Sequence, residues 1–135
     1  MAGTAIIFAT SIGGHVRTTA ENLAKVLEAD TFDLKKQNDI ELSGYDKIIL
    51  GTGVHAGKPY SKMTSFINTH REVLDSKSTS LYICCMYKGE KGANQASKVG
   101  NDYQITDVSF FPDSSERDEN GLSQEMRAFV ERMRK

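Results

Sequence analysis

A chain of 135 residues is expected to form one domain, residues 1–135, with a single core and no second substrate domain. Hydrophobic residues make up 39% and charged ones 26%, the balance of a soluble globular protein, and a net charge of −1 offers no bulk attraction to nucleic acid. Met1-Ala2-Gly3-Thr4 carries no basic region and the apolar run after it is too short for a signal or a membrane span, so a cytoplasmic location is expected.

The run Ala5-Ile6-Ile7-Phe8-Ala9 is continuously apolar, the pattern of a strand buried on both faces. It leads into Thr10-Ser11-Ile12-Gly13-Gly14-His15-Val16 and then into a helical periodicity at Val16, Ala20, Leu23, Ala24 and Leu27. A capping box at Thr18-Thr19-Ala20-Glu21 allows that helix to start a turn later, leaving Arg17 in the loop to pair with a phosphate or stand exposed. A short strand is expected around Thr31 to Leu34, and a second buried one at Lys47-Ile48-Ile49-Leu50. After it comes Gly51-Thr52-Gly53-Val54-His55-Ala56-Gly57, with Pro59 placed to open a helix carrying Met63, Phe66, Ile67, His70 and Leu74.

Leu81-Tyr82-Ile83-Cys84-Cys85 repeats the buried-strand pattern. Neighbouring side chains of a strand point to opposite faces, so the two cysteines fit neither a disulfide framework nor a CxxC site, and read as reduced thiols with at least one buried. Gly89, Gly92 and Gly100 interrupt Lys88 to Tyr103, which is expected to be a loop with one helical piece at Ala93 to Val99. A strand over Ile105 to Phe111 and a solvated loop from Asp113 to Gly121 precede a last helix with Leu122, Met126, Phe129, Val130 and Met133. Its cations at 127, 132, 134 and 135 suit the helix dipole. Five strands alternating with helices imply a doubly wound α/β domain with a parallel sheet.

The first glycine-rich turn sets hydroxyls, backbone N–H groups and a helix N-terminus around one point, the geometry that holds a phosphate dianion; it equally suits a tight strand-to-helix turn with no ligand. The second turn matches G-x-G-x-x-[GA] in form, but Gly57-Lys58-Pro59 delays the helix and no strand ends in an acidic residue where a ribose contact belongs. A Walker loop fails because Pro59 stands where Ser or Thr is required. A phosphatase-type Cys-x5-Arg fails because Glu90 and Lys91 stand six residues after Cys84 and Cys85, and a receiver domain fails because Ala9-Thr10 ends the first strand without an Asp. His15, His55 and His70 have no metal-ligand spacing, so no metal is expected.

Across nearly its whole length the chain resembles the flavodoxin family, most of the likeness lying in Tyr45-Asp46-Lys47-Ile48-Ile49-Leu50-Gly51-Thr52-Gly53-Val54-His55-Ala56-Gly57-Lys58-Pro59 and the following helix, Tyr60 to Leu74 with Phe66. It is similar above all to the set that includes short FMN proteins and the menaquinone-dependent protoporphyrinogen oxidase. The resemblance implies a five-stranded sheet in the order 2-1-3-4-5 and FMN as cofactor. The family's phosphate loop falls on Thr10, Ser11, Ile12, Gly13, Gly14, His15 and Val16, with Val16 where a hydroxyl is usual. The ring loops fall on Thr52, Gly53, Val54, His55, Ala56, Gly57 and Lys58, and on Met86, Tyr87, Lys88 and Gly89. Tyr87 and His55 are the candidates to flank the ring, and Gly57 to allow a peptide flip beside it.

Such a protein carries electrons between redox partner proteins and has no catalytic side chain of its own. Lys58, Lys88 and Lys91 lie near the ring loops, and cations there favour an anionic reduced flavin, so its potential is expected to be less negative than in acidic flavodoxins. Two alternatives stand beside the carrier: a flavin-dependent oxidoreductase acting on a quinone or porphyrinogen, and a flavin-free interaction module that kept the fold.

Overall fold

The continuous apolar runs form the central strands of a parallel sheet in a computed structural model that describes residues 3–10, 15–37, 39–55 and 58–134. In chain order the elements are β1 Gly3–Ala9, α1 His15–Leu27, β2 Asp30–Asp33, β3 Tyr45–His55, β4 Lys58–Pro59, α2 Ser61–Thr69, α3 Arg71–Asp75, β5 Ser78–Cys85, α4 Gly89–Tyr103, β6 Val108–Pro112 and α5 Gln124–Met133. Strands lie in the order β2-β1-β3-β5-β6, all parallel, so the expected topology of the five-stranded sheet holds. The addition is β4, two residues long, which folds back antiparallel on the end of β3.

Period-two alternation divides the core between the two faces of the sheet. Ala5, Ile7 and Ala9 of β1 join Met63, Phe66 and Ile67 of α2, Leu74 of α3 and Ala96 and Val99 of α4. Ile6 and Phe8 join Val16, Ala20 and Leu23 of α1 and Met126, Phe129 and Val130 of α5. The adjacent cysteines obey the same rule, with Cys85 in the first cluster and Cys84 in the second, both buried and free.

Four local expectations are corrected. Pro59 sits in β4 and does not open a helix; Thr52 Oγ1 accepts the Tyr60 N–H at 3.2 Å, which holds the returning strand, and α2 starts at Ser61 behind Tyr60 as N-cap. The single helix expected from Tyr60 to Leu74 is broken at His70 (φ −110°, ψ 22°) into α2 and α3. There the imidazole stacks on Phe66 at 4.2 Å and its Nδ1 lies 3.0 Å from the Phe66 carbonyl, taking up an acceptor at the helix end. Residues 88–103 form a full helix from Gly89, because Gly92 and Gly100 are where α4 presses on the edge strand: a Cβ on Gly92 would collide with the Phe110 ring, and one on Gly100 with Val108 and the Ile105 carbonyl. Helix α1 starts at His15 and not a turn later; Arg17 pairs with Asp33 at the end of β2, N to O 2.6 Å.

The segment from Asp113 to Gly121 is an ordered turn in which Asp118 Oδ1 accepts the N–H groups of Asn120 and Leu122 at 2.8 and 3.0 Å. Arg127 reaches Asp118, Arg132 reaches Asp107, and Arg134 donates to the Val26 carbonyl, so these cations tie α5 to its neighbours as well as suiting its dipole.

Candidate functional site

The chain leaves β1 for β2 on one side and returns to β3 on the other, which opens a crevice at the carboxyl ends of these strands, the place where open α/β sheets bind ligands. A groove of about 170 Å³ lies there. Thr10, which follows β1, and His15 and Val16 of the first turn of α1 form one wall. Gly53 and Val54 of β3, with Tyr60, form the second, and Cys84, Cys85, Met86 and Asp113 close the side toward β5 and β6.

Each wall has a local cause. Gly53 has no Cβ because the Tyr60 phenol occupies that position. Thr52 is fully buried and turned to structural use, its Oγ1 donating to the Gly53 carbonyl at 2.9 Å while accepting from Tyr60 N–H. Val16 is 3% exposed; its side chain packs into the α1 and α5 core, and its carbonyl accepts the Tyr82 hydroxyl at 3.3 Å. The missing hydroxyl at that position is thereby explained, since the side chain anchors the first turn of α1 to the sheet. His15, exposed and the first residue of α1, lines the groove at the positive end of that helix's dipole.

Asp113 was not legible as a site residue. It follows β6, its N–H donating to the Cys85 carbonyl at 2.8 Å, and its Oδ1 is buried with no donor among the described residues. Burial pushes this carboxyl up, against the opposing influence of His15 and Arg117 nearby. Tyr60, Cys84 and Cys85 are the other lining residues outside the loops read from sequence. Burial holds the Cys84 thiol at a pKa of about 12 and raises Cys85 as well, so both are neutral thiols near neutral pH.

Met86 lines the groove, whereas Tyr87 lies beyond its lining with Lys91 Nζ 4.8 Å from its ring centroid. Lys88 is the N-cap of α4, and Gly89 opens that helix at φ +61°, a left-handed conformation suited to glycine. Ser11, Ile12, Gly13, Gly14, Ala56 and Gly57 lie outside the described residues, as does the side chain of His55. A larger cavity of about 490 Å³ lies against α2, lined by Leu34, Lys62, Phe66 and His70 among others. Among the described residues there is no group of His, Cys, Asp and Glu side chains able to hold a metal ion, and no helix long and apolar enough to cross a membrane.

The flavodoxin domain model matches residues 5–129 of the chain. Among solved structures the chain is similar to oxidised flavodoxin 2 from Bacillus cereus, with 15% identity over 95% of each chain and a TM-score of 0.70. It is similar as well to a Fusobacterium nucleatum flavodoxin bound to flavin mononucleotide, with 14% identity over 99% of this chain and 98% of that one and a TM-score of 0.63. A flavodoxin, WrbA-like protein from Agrobacterium tumefaciens gives 16% identity over 98% and 94% of the two chains and a TM-score of 0.68. No curated protein matches the chain. At such identities the likeness lies in the fold.

Proposed function

The chain belongs to the flavodoxin domain family, and from that premise we propose that it binds FMN and carries electrons between redox proteins. One observation carries the reading: the start of α1 and Asp113, whose buried Oδ1 has no donor among the described residues, line the same groove at the switch point of the sheet. A phosphate needs N–H donors and positive potential, which the start of α1 offers. A ribityl chain brings hydroxyl donors, and Asp113 has an acceptor oxygen that no other described residue satisfies. A group with an anion at one end and hydroxyls further along therefore suits the groove better than a bare anion, which the Asp113 carboxylate would repel.

Bound FMN supplies the one- and two-electron chemistry of its ring. The chain's own residues hold and surround it. Thr10, His15 and Val16, with Ser11, Ile12, Gly13 and Gly14, take the phosphate; Gly53, Val54, His55, Ala56, Gly57 and Met86 form the bed of the ring and exclude water from it. Thr52 acts through its hydroxyl, which holds the hairpin, and Gly89 through its backbone, which sets the start of α4. The cations of Lys58, Lys88 and Lys91 favour negative charge on the ring, so the potential for full reduction is less negative than in acidic members of the family.

The test is direct. The purified protein is expected to be yellow, to release FMN on denaturation, and to rebind it stoichiometrically after stripping. A colourless protein that fails to quench FMN fluorescence at micromolar concentration overturns the reading.

A further inference from the structure

We propose that the rim formed by Met86 and Tyr87, flanked by Lys58, Lys88 and Lys91, docks the acidic face of a protein redox partner, an inference that rests on the electron-carrier reading above. Met86 is 78% and Tyr87 39% exposed. They are consecutive, whereas the other large exposed apolar side chain of the described surface, Val73, lies in α3.

The sheet register puts Lys58 at the same end of the sheet as Met86. Gly53 pairs with Cys84; two residues further along β3, His55 pairs with Lys58, and two residues beyond Cys84 stands Met86. Lys88 and Lys91 flank the first turn of α4, and the ammonium of Lys91 sits over the Tyr87 ring, holding that aromatic outside the groove. All three lysines are exposed, and none belongs to an ion pair among the described residues. One carboxylate, Glu90, stands in the same stretch, so the rim carries three cations against one anion on a chain whose net charge is −1.

An apolar centre with a charged rim is the anatomy of a transient protein interface, and a flexible thioether suits contact with more than one partner. The sign of the rim selects a carboxylate-bearing surface and speeds its encounter. Nucleic acid requires a longer track of cations, since binding draws on roughly 6–10 phosphate contacts. An anionic membrane surface is held by clusters of about 4–8 basic residues, more than this rim presents.

The experiment uses the FMN-loaded, isotope-labelled protein and backbone amide shifts. The probes are the soluble domain of cytochrome b5, an acidic haem protein; cytochrome c, a basic one; vesicles of phosphatidylserine and phosphatidylcholine; and a single-stranded oligonucleotide. Cytochrome b5 is expected to shift amides of residues 58 and 86–91, with the effect abolished at about 0.5 M salt. The double variant Lys58→Glu, Lys91→Glu, compared at equal flavin occupancy, is expected to weaken that binding at least about tenfold. Saturable low-salt shifts at this rim from cytochrome c, the vesicles or the oligonucleotide, but not from cytochrome b5, overturn the proposal, as does a response elsewhere or none at all. Flavin occupancy is read from the visible spectrum of the same sample, so a protein that takes up no FMN fails the carrier reading separately from the docking test.

Discussion

Asp113 shows how a single atom can report on a ligand. Its Oδ1 is buried without a donor among the described residues, and burial raises its carboxyl above the ordinary 3.8, so the flavin-free fold favours the protonated form more than the unfolded chain does. The stabilising share of that proton is complete below pH 3.8 and is lost as pH rises through the elevated folded value. Asp113→Asn is therefore expected to stabilise the flavin-free protein at pH 7 by about 1 kcal/mol or less, the residue being partly exposed, and to lose that advantage toward acid pH. Urea denaturation at several pH values checks this; an effect equal at every pH would mean that the oxygen already has a donor. The same variant is expected to bind FMN about tenfold more weakly, because an amide is a poorer acceptor for a hydroxyl than a carboxylate.

The cysteines give a second prediction at this scale. With the Cys84 pKa at about 12 and Cys85 also raised, both thiols of the native protein are expected to react with a disulfide reagent at pH 7.5 far more slowly than free cysteine, and both promptly in denaturant. Full reaction of the native protein within the mixing time would contradict it. That at least one of them is buried was legible from adjacency within an apolar run, and both are. Asp113 was hidden in a polar stretch that read as solvated loop, and only its position just after β6 marks it, since ligand sites in such sheets lie beyond strand carboxyl ends.

Among the elements, strands were read best and helix ends worst. A buried strand announces itself by an unbroken apolar run, and β1 and β5 fall where those runs lie. The α4 segment was misread because each of its glycines lowers helix propensity, yet Gly92 and Gly100 remove side chains where the helix meets Phe110 and Val108. That is tertiary packing overriding local preference. Gly89 differs: a Cβ there would meet nothing within 4 Å, but its φ of +61° strains any L side chain. Gly89→Ala is expected to cost about 1–2 kcal/mol, read as a lower denaturation midpoint with an unchanged denaturant slope. A neutral result would show that the α4 start can adopt another conformation.

For the whole molecule, alternation of strand and helix predicted the doubly wound α/β class, and the strand order followed from the family resemblance. The groove could not be read this way, because it is assembled from chain segments as far apart as Thr10 and Asp113. A ligand bound across such separated segments stabilises the native state as a unit. FMN at about 1,000 times its Kd is expected to add about 4 kcal/mol, raising the melting temperature by roughly 10 °C, with a shift that grows with the logarithm of FMN concentration. Calorimetry with and without FMN measures it, and riboflavin, which lacks the phosphate, is expected to shift the transition much less.

Gly51 and Tyr82 face each other across β3 and β5, and a Cβ on Gly51 would fall inside the Tyr82 ring. The ring's hydroxyl in turn holds the Val16 carbonyl at the first turn of α1. For sequence drift the pair therefore behaves as one character: a side chain gained at 51 must be matched by one lost at 82, and the match leaves α1 without its tether beside the groove. A random library selected only for folding would admit such exchanged pairs, whereas one selected for cofactor retention would keep glycine and tyrosine together.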